Sequence, residues 1–155
     1  MATLTVTHKE SLTLNGSNEG KTNTTTVTGI NHVFKRIVKC IDDSDCTIAT
    51  FQTATHTADN AIDLEDVKYI RVTNLEASNP CNLSLQIAGA EGGTANMSSS
   101  HLLGAGQSFI LHTVHDGIAV KDDAATIVTA LTDLESILID PLSENVTVEI
   151  FIASV

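Results

Sequence analysis

Apolar and polar residues alternate along several short stretches of the chain, one of which lies at 81–88. Its apolar side chains occupy every second position, with polar ones between them: Cys81, Leu83, Leu85 and Ile87 alternate with Asn82, Ser84 and Gln86. Successive side chains of a β-strand point to opposite faces, so a period of two predicts a strand with one buried face. The stretch 146–152 shows the same alternation.

The segment 66–112 is predicted to organise the fold. Strands and turns alternate within it: a strand at 67–75, a polar turn at 76–80, the strand at 81–88, a Gly/Ser-rich loop at 89–100, a glycine turn at 103–107 and a strand from Ser108. Glycine, proline and asparagine favour turns, which separates the strands. We interpret the segment as a central hairpin followed by a return strand.

The rest of the chain repeats strand-length stretches at 3–8, 24–28, 33–41, 46–55, 117–120, 134–139 and 146–152. The last two are predicted to form a closing hairpin around 140–145. A helical turn from Ile62 and a helix within 123–136 are the helical predictions. About eight to ten short strands at this spacing predict one all-β domain over 1–155, an antiparallel β-sandwich or jelly-roll-like domain.

Two of these strands carry further information about their surroundings. The stretch 33–41 has apolar residues on both faces, namely Val33, Ile37 and Ile41 on one and Phe34, Val38 and Cys40 on the other. Such a strand is predicted to be covered on both sides or to lie at an interface. The stretch 146–152 is strongly β-forming and nearly uncharged, so we expect it to be a central strand or to pair in an oligomer.

Composition and charge narrow the classes of partner. The chain has 155 residues, a formal net charge of −11 and 3% aromatic residues. This charge repels nucleic-acid phosphates and anionic lipids, and Lys35, Arg36 and Lys39 alternate between two strand faces instead of forming a patch. No signal-like segment or run of about 20 apolar residues is present, so we expect no membrane contact and assembly in a cytoplasm.

Candidate chemistry is sparse. Six histidines occur without a metal-binding spacing, and the turn Asp42, Asp43 and Asp45 lacks the glycine and distal glutamate of a calcium loop, so no metal or cofactor is predicted. No nucleophile elbow or other catalytic frame is recognisable, and we predict that the protein is not an enzyme. Cys40 and Cys46 flank this turn, where a disulfide remains an alternative to free thiols.

The predicted working surface consists of loops and not of a cleft. Small, mostly uncharged residues can order against a neighbour at modest desolvation cost, which favours the loops at 15–23 and 89–100. The candidate interaction residues are Asn15, Gly16, Asn18, Gly92, Gly93, Asn96 and Met97.

Four stretches, 67–75, 81–87, 103–111 and 146–154, give the chain a pattern that resembles small β-sandwich virion proteins of tailed bacteriophages. The pattern is a strand ending in Thr-Asn, a polar turn, an alternating strand, a glycine turn and a Ser-Phe strand. Ala105 and Gly106 stand where many such proteins have proline. The resemblance covers roughly residues 66–154 and points to capsid decoration, or cement, proteins.

The resemblance implies a virion structural protein that binds and stabilises the major capsid lattice. Its partners would be the major capsid protein or other virion proteins, and it would form a homo-oligomer, with a trimer favoured. Two alternatives remain at this point: a neck, tail or fibre-base protein of the virion, and a lectin-like module that binds carbohydrate or Ca²⁺.

Overall fold

The fold of the described residues is all-β, as predicted. The computed structural model describes residues 1–52, 62–87, 97–114, 118 and 134–155. The strands are β1 (Ala2–Lys9), β2 (Thr13–Leu14), β3 (Ser17–Asn18), β4 (Thr22–Ile30), β5 (His32–Cys40), β6 (Cys46–Gln52), β7 (Ile62–Asp63), β8 (Val67–Asn74), β9 (Cys81–Ile87), β10 (Met97–Leu103), β11 (Ser108–His112), β12 (Leu134–Asp140) and β13 (Val146–Ser154). No helix that could cross a membrane occurs within these ranges.

Two sheets pack face to face as a β-sandwich. One has the strand order β10-β9-β12-β6-β7 and the other the order β11-β8-β13-β5. All pairs in them are antiparallel except the short pair of β6 with β7. The predicted alternation is confirmed in β9, where Cys81, Leu83, Leu85 and Ile87 are buried. Cys81, Leu83 and Leu85 share a core with residues of the other sheet such as Ile150.

The predicted hairpins are wrong, because the strands concerned lie in opposite sheets. β8 belongs to the four-stranded sheet and β9 to the five-stranded sheet, and β12 and β13 are divided in the same way. The pairs β5/β6 and β10/β11 are also split between the sheets. Each of these turns therefore carries the chain across the core, so that both strands direct their apolar faces inwards.

Three other predictions are corrected in detail. Ile62 begins the short strand β7, not a helical turn, and pairs with Phe51. The predicted helix at 123–136 does not extend to its end, because β12 begins at Leu134; positions 123–133 lie outside the described residues. Part of the predicted loop 89–100 is strand, because β10 begins at Met97.

One alternative predicted for the last strand is confirmed, whereas one of the two alternatives for 33–41 is wrong. β13 is a central strand, between β8 and β5, as one alternative proposed. β5 lies at the edge of its sheet and is not covered on both sides: Phe34 and Val38 pack on the core, whereas Val33 and Ile37 are exposed.

A third layer covers part of the four-stranded sheet. β1 and β4 form a separate two-stranded sheet, whose residues Val6, Val27 and Ile30 pack against Tyr69 and Ala153 on the outer face of β8 and β13. This second, smaller core explains the alternation of leucine, valine and threonine in β1. Among the described residues, part of that outer face stays open beside β1.

Candidate functional site

The first group of predicted interaction residues lies together in a protruding hairpin formed by β2 and β3. Asn15 and Gly16 occupy its turn, both with positive φ (51° and 83°), which matches the backbone demanded by a two-residue hairpin. The side-chain Oδ1 of Asn18 accepts a hydrogen bond from the Gly20 amide at 3.0 Å. These residues therefore build a defined turn.

The second predicted group is only partly described. Gly92, Gly93 and Asn96 lie outside the described residues. Met97 is the first residue of β10, where it pairs with Ile87 of β9. The role of both groups in binding stays a prediction.

Large apolar side chains are exposed on edges and projections of the fold. Leu12 and Leu14 are exposed beside the turn of the protruding hairpin. Val33 is 57% and Ile37 64% exposed on the outward face of β5. Since β5 pairs with β13 alone in the described residues, these side chains lie next to an unpaired backbone edge. Exposed apolar positions beside an open edge are typical of contact surfaces.

The same strand carries a concentration of positive charge. Lys35, Arg36 and Lys39 account for three of the eight basic residues of the chain. Lys35 Nζ lies 3.0 Å from a carboxylate oxygen of Glu149 on β13, and the guanidinium of Arg36 lies 5.9 Å from the centroid of the Phe34 ring. The β5 edge is thus apolar and basic on a chain that is otherwise acidic.

A groove of about 440 Å³ lies between β1 and the open part of the outer sheet face. We call it the β1 groove. One wall consists of five consecutive residues, Leu4, Thr5, Val6, Thr7 and His8, and the floor of Tyr69, Arg71, Ser108, Ile110 and Phe151. No sequence pattern indicated this groove, because its floor combines outward-facing residues of three strands that are distant in sequence.

Aromatic rings order the floor and one end of the groove. Tyr69 meets Phe151 edge to face, with ring centroids 5.9 Å apart, and His8 stacks on His112 at 5.6 Å. Burial raises the pKa of the Tyr69 phenol, an effect that nearby Arg71 partly opposes. The phenol therefore stays neutral at physiological pH and is available as a hydrogen-bond donor.

Arg71 is the main charged group of the floor. It forms an ion pair with Glu149, which Lys35 also contacts, and its guanidinium lies 5.8 Å from the Phe151 ring centroid. These two cations and one carboxylate sum to a charge of +1. The Nε of Arg71 is buried and has no hydrogen-bond partner among the residues that the structure describes.

The three cysteines are free thiols, so the disulfide alternative for Cys40 and Cys46 is not realised. Burial raises the pKa of Cys40 far above its ordinary value, and a hydrogen bond with Cys46 makes a smaller contribution in the same direction. Burial also raises the pKa of Cys81 to about 11, with a smaller contribution from Asp140. Buried thiols held in the neutral form are poor nucleophiles, which fits a role in packing.

The histidines and aspartates of the described residues form no metal centre. No group of three or more His, Cys, Asp or Glu side chains that could hold a metal occurs in the described ranges, which include Asp42, Asp43 and Asp45. His8, His32, His101 and His112 lie on four different strands, and His56 and His115 fall outside the described residues.

Comparisons with protein-family models, with curated proteins and with solved structures give no match to this chain. They neither support nor oppose the resemblance to phage virion proteins.

Proposed function

We propose that this chain is a non-enzymatic virion structural protein, a capsid decoration protein that binds and stabilises the major capsid lattice after assembly in the host cytoplasm. The observation that carries the proposal is the β5 edge, which presents Val33 and Ile37 beside a backbone that pairs with β13 alone among the described strands. A protein repeated over a symmetric particle can bury such an edge at every copy.

Charge favours another copy of the same chain as the neighbour at β5. The chain has 19 acidic and 8 basic residues, and three of the basic ones lie on this strand. A second copy presents a predominantly acidic surface to Lys35, Arg36 and Lys39. This complementarity supports a homo-oligomer, for which the resemblance favours a trimer.

The protruding hairpin supplies a second contact surface, directed at the lattice. Leu12 and Leu14 are exposed beside the Asn15–Gly16 turn, and their burial against a capsid subunit would remove apolar area from water. The division of consecutive strands between two sheets also supports the jelly-roll-like arrangement that we infer for this fold.

Particles provide the test of the proposal. We expect hundreds of copies per particle on an icosahedral lattice, and particles lacking the chain should lose their contents at a lower temperature. A small multiple of three copies, located at a neck or tail, would instead favour the alternative virion role. Particles of unchanged stability without the chain would count against decoration.

The hairpin variant Leu12→Ser/Leu14→Ser separates lattice binding from folding. Both side chains are exposed, so the thermal midpoint of the free protein should stay within a few degrees of the wild type. Occupancy on particles should fall. The matched control is Leu142→Asn, which removes an exposed leucine from the turn after β12 at a positive φ that asparagine tolerates.

A further inference from the structure

We propose that the β1 groove binds an extended peptide segment that carries a carboxylate, and that the segment adds as a strand to the free edge of β1. This inference goes beyond the proposed function and does not depend on it, since it concerns the groove of the isolated protein. It rests on the wall, the floor and the charge of the groove.

The wall is the edge of β1 that pairs with no other described strand. Five consecutive residues of β1, from Leu4 to His8, line the groove, and no residue of β4 does. Neighbouring side chains of a strand point to opposite faces. Residues of both faces of β1 can therefore line one groove only if the groove runs along the edge of the strand. β1 pairs with β4 alone in the described residues, so this edge presents free backbone N–H and C=O groups.

A free strand edge selects for an extended peptide. Main-chain hydrogen bonds to the edge would hold any extended segment, and the pockets beneath would choose its side chains. The length of the wall, five residues, corresponds to about 17 Å of strand, which is a typical strand length. A compact small molecule would leave most of these backbone groups unused.

The floor offers an apolar surface with one polar centre. Tyr69, Ile110 and Phe151 provide the apolar part, and Ser108 already bonds Thr73 through its hydroxyl at 2.8 Å. A segment with alternating side chains would direct every second one at this floor. Its apolar side chains would then be buried against the rings, and a single polar one would meet Arg71.

The charge of the floor determines what that polar side chain is. Arg71 of the floor shares the carboxylate of Glu149 with Lys35; Glu149 and Lys35 lie outside the groove lining, and the three groups together leave an excess positive charge. The Arg71 side chain stays 34% exposed despite its ion pair with Glu149. An incoming carboxylate would accept hydrogen bonds from the exposed part of this guanidinium and neutralise the excess charge. An amide could accept such a bond but not balance the charge.

Two synthetic peptides test the inference on the intact wild-type protein. Both are capped heptapeptides, Thr-Val-Thr-X-Thr-Val-Thr, in which the central residue X is aspartate in the probe and asparagine in its matched control. We expect titration to show that the aspartate peptide binds and that the asparagine peptide binds with an affinity at least about tenfold lower. Amide hydrogen exchange in β1 should slow on binding of the aspartate peptide.

Variants assign the discrimination to Arg71. The preference for aspartate should disappear in Arg71→Met and persist in Arg36→Gln, which removes a positive charge from β5 outside the groove. If Arg71→Met does not fold, the two peptides and the exchange map on the wild type still decide the matter. Absence of binding at millimolar peptide, equal affinities of the two peptides, or unchanged amide exchange in β1 would each overturn the inference.

Discussion

At the scale of single residues, Asn74 shows how one buried polar side chain can fix several connections. It is fully buried at the end of β8. Its amide nitrogen donates to the carbonyl oxygens of Asn79 at 2.8 Å and Leu103 at 3.2 Å, and its side-chain oxygen accepts from the Glu76 amide at 3.0 Å. Asn74 thereby ties the turn after β8 to the end of β10.

Replacing Asn74 by alanine should destabilise the protein by about 2–4 kcal/mol, because one buried and two partly buried hydrogen bonds are lost. Asn74→Asp should also be destabilised at neutral pH, since the carboxylate keeps an acceptor but loses both donors. Chemical denaturation measures both effects. The control is Asn23→Ala on exposed β4, expected within about 0.5 kcal/mol of the wild type. An Asn74→Asp variant as stable as the wild type would contradict the assigned bonds.

The buried thiols predict a loss of stability in alkali. Folding raises the pKa of Cys81 from 9.0 to about 11 and raises that of Cys40 as well, both mainly through burial. The unfolded chain therefore releases these protons at lower pH than the folded chain, so the free energy of unfolding should fall between about pH 9 and 11. In Cys81→Ala this decline should be shallower, as followed by urea denaturation at each pH. Equal slopes would contradict the assignment.

At the scale of elements, Gly16 in the turn of the protruding hairpin and Gly20 just after β3 oppose substitution for two different physical reasons. Gly16 has φ of +83° with open space around the position of a Cβ atom, so only backbone conformation opposes a side chain. At Gly20 the obstacle is contact, because a Cβ atom would come 2.4 Å from the backbone oxygen of Glu10.

Gly16→Ala should therefore cost about 1 kcal/mol, and Gly16→Asn less, because asparagine tolerates positive φ. Gly20→Ala should cost more, and Gly20→Asn should give no relief, because the backbone must move for any side chain. Thermal unfolding of the four variants measures this contrast. The two causes would be misassigned if Gly20→Asn were clearly more stable than Gly20→Ala, or if Gly16→Asn were no more stable than Gly16→Ala.

At the scale of the whole molecule, the β5 edge decides whether copies of the chain associate. Val33 and Ile37 face outwards there, and each pairs across the sheet with a residue of β13. In the double variant Val33→Thr/Ile37→Thr, strand propensity is kept while apolar surface is removed. We expect it to fold with a free energy of unfolding within about 1 kcal/mol of the wild type.

The double variant should also shift the protein towards the monomer in sedimentation velocity experiments. Leu142→Asn, which removes an exposed leucine elsewhere, should leave the oligomer unchanged. A wild-type protein that stays monomeric at high concentration, or an oligomer unaffected by the double variant, would argue against β5 as the contact between copies.

The sequence by itself determined the class of the fold and most of the strands. Side chains of a strand alternate between faces, so the two-residue periods at 81–87 and 146–152 predict which of their residues are buried. The loop that begins at Asn15 was also evident, because glycine and asparagine favour turns, although its two-residue turn was not. These properties are local, and a single chain segment suffices to express them.

Only the tertiary structure decided how the strands pair and where the open surfaces lie. A polar turn between two alternating strands fits a hairpin and a crossing between sheets equally well, because both bury the same faces; this is why the hairpins predicted for β8/β9 and β12/β13 were wrong. The β1 groove also depends on which strands are neighbours in a sheet, because its floor combines residues of β8, β11 and β13. Arg71, Glu149 and Lys35 meet only because β8, β13 and β5 are neighbours in one sheet, and sequence spacing carries no record of that register.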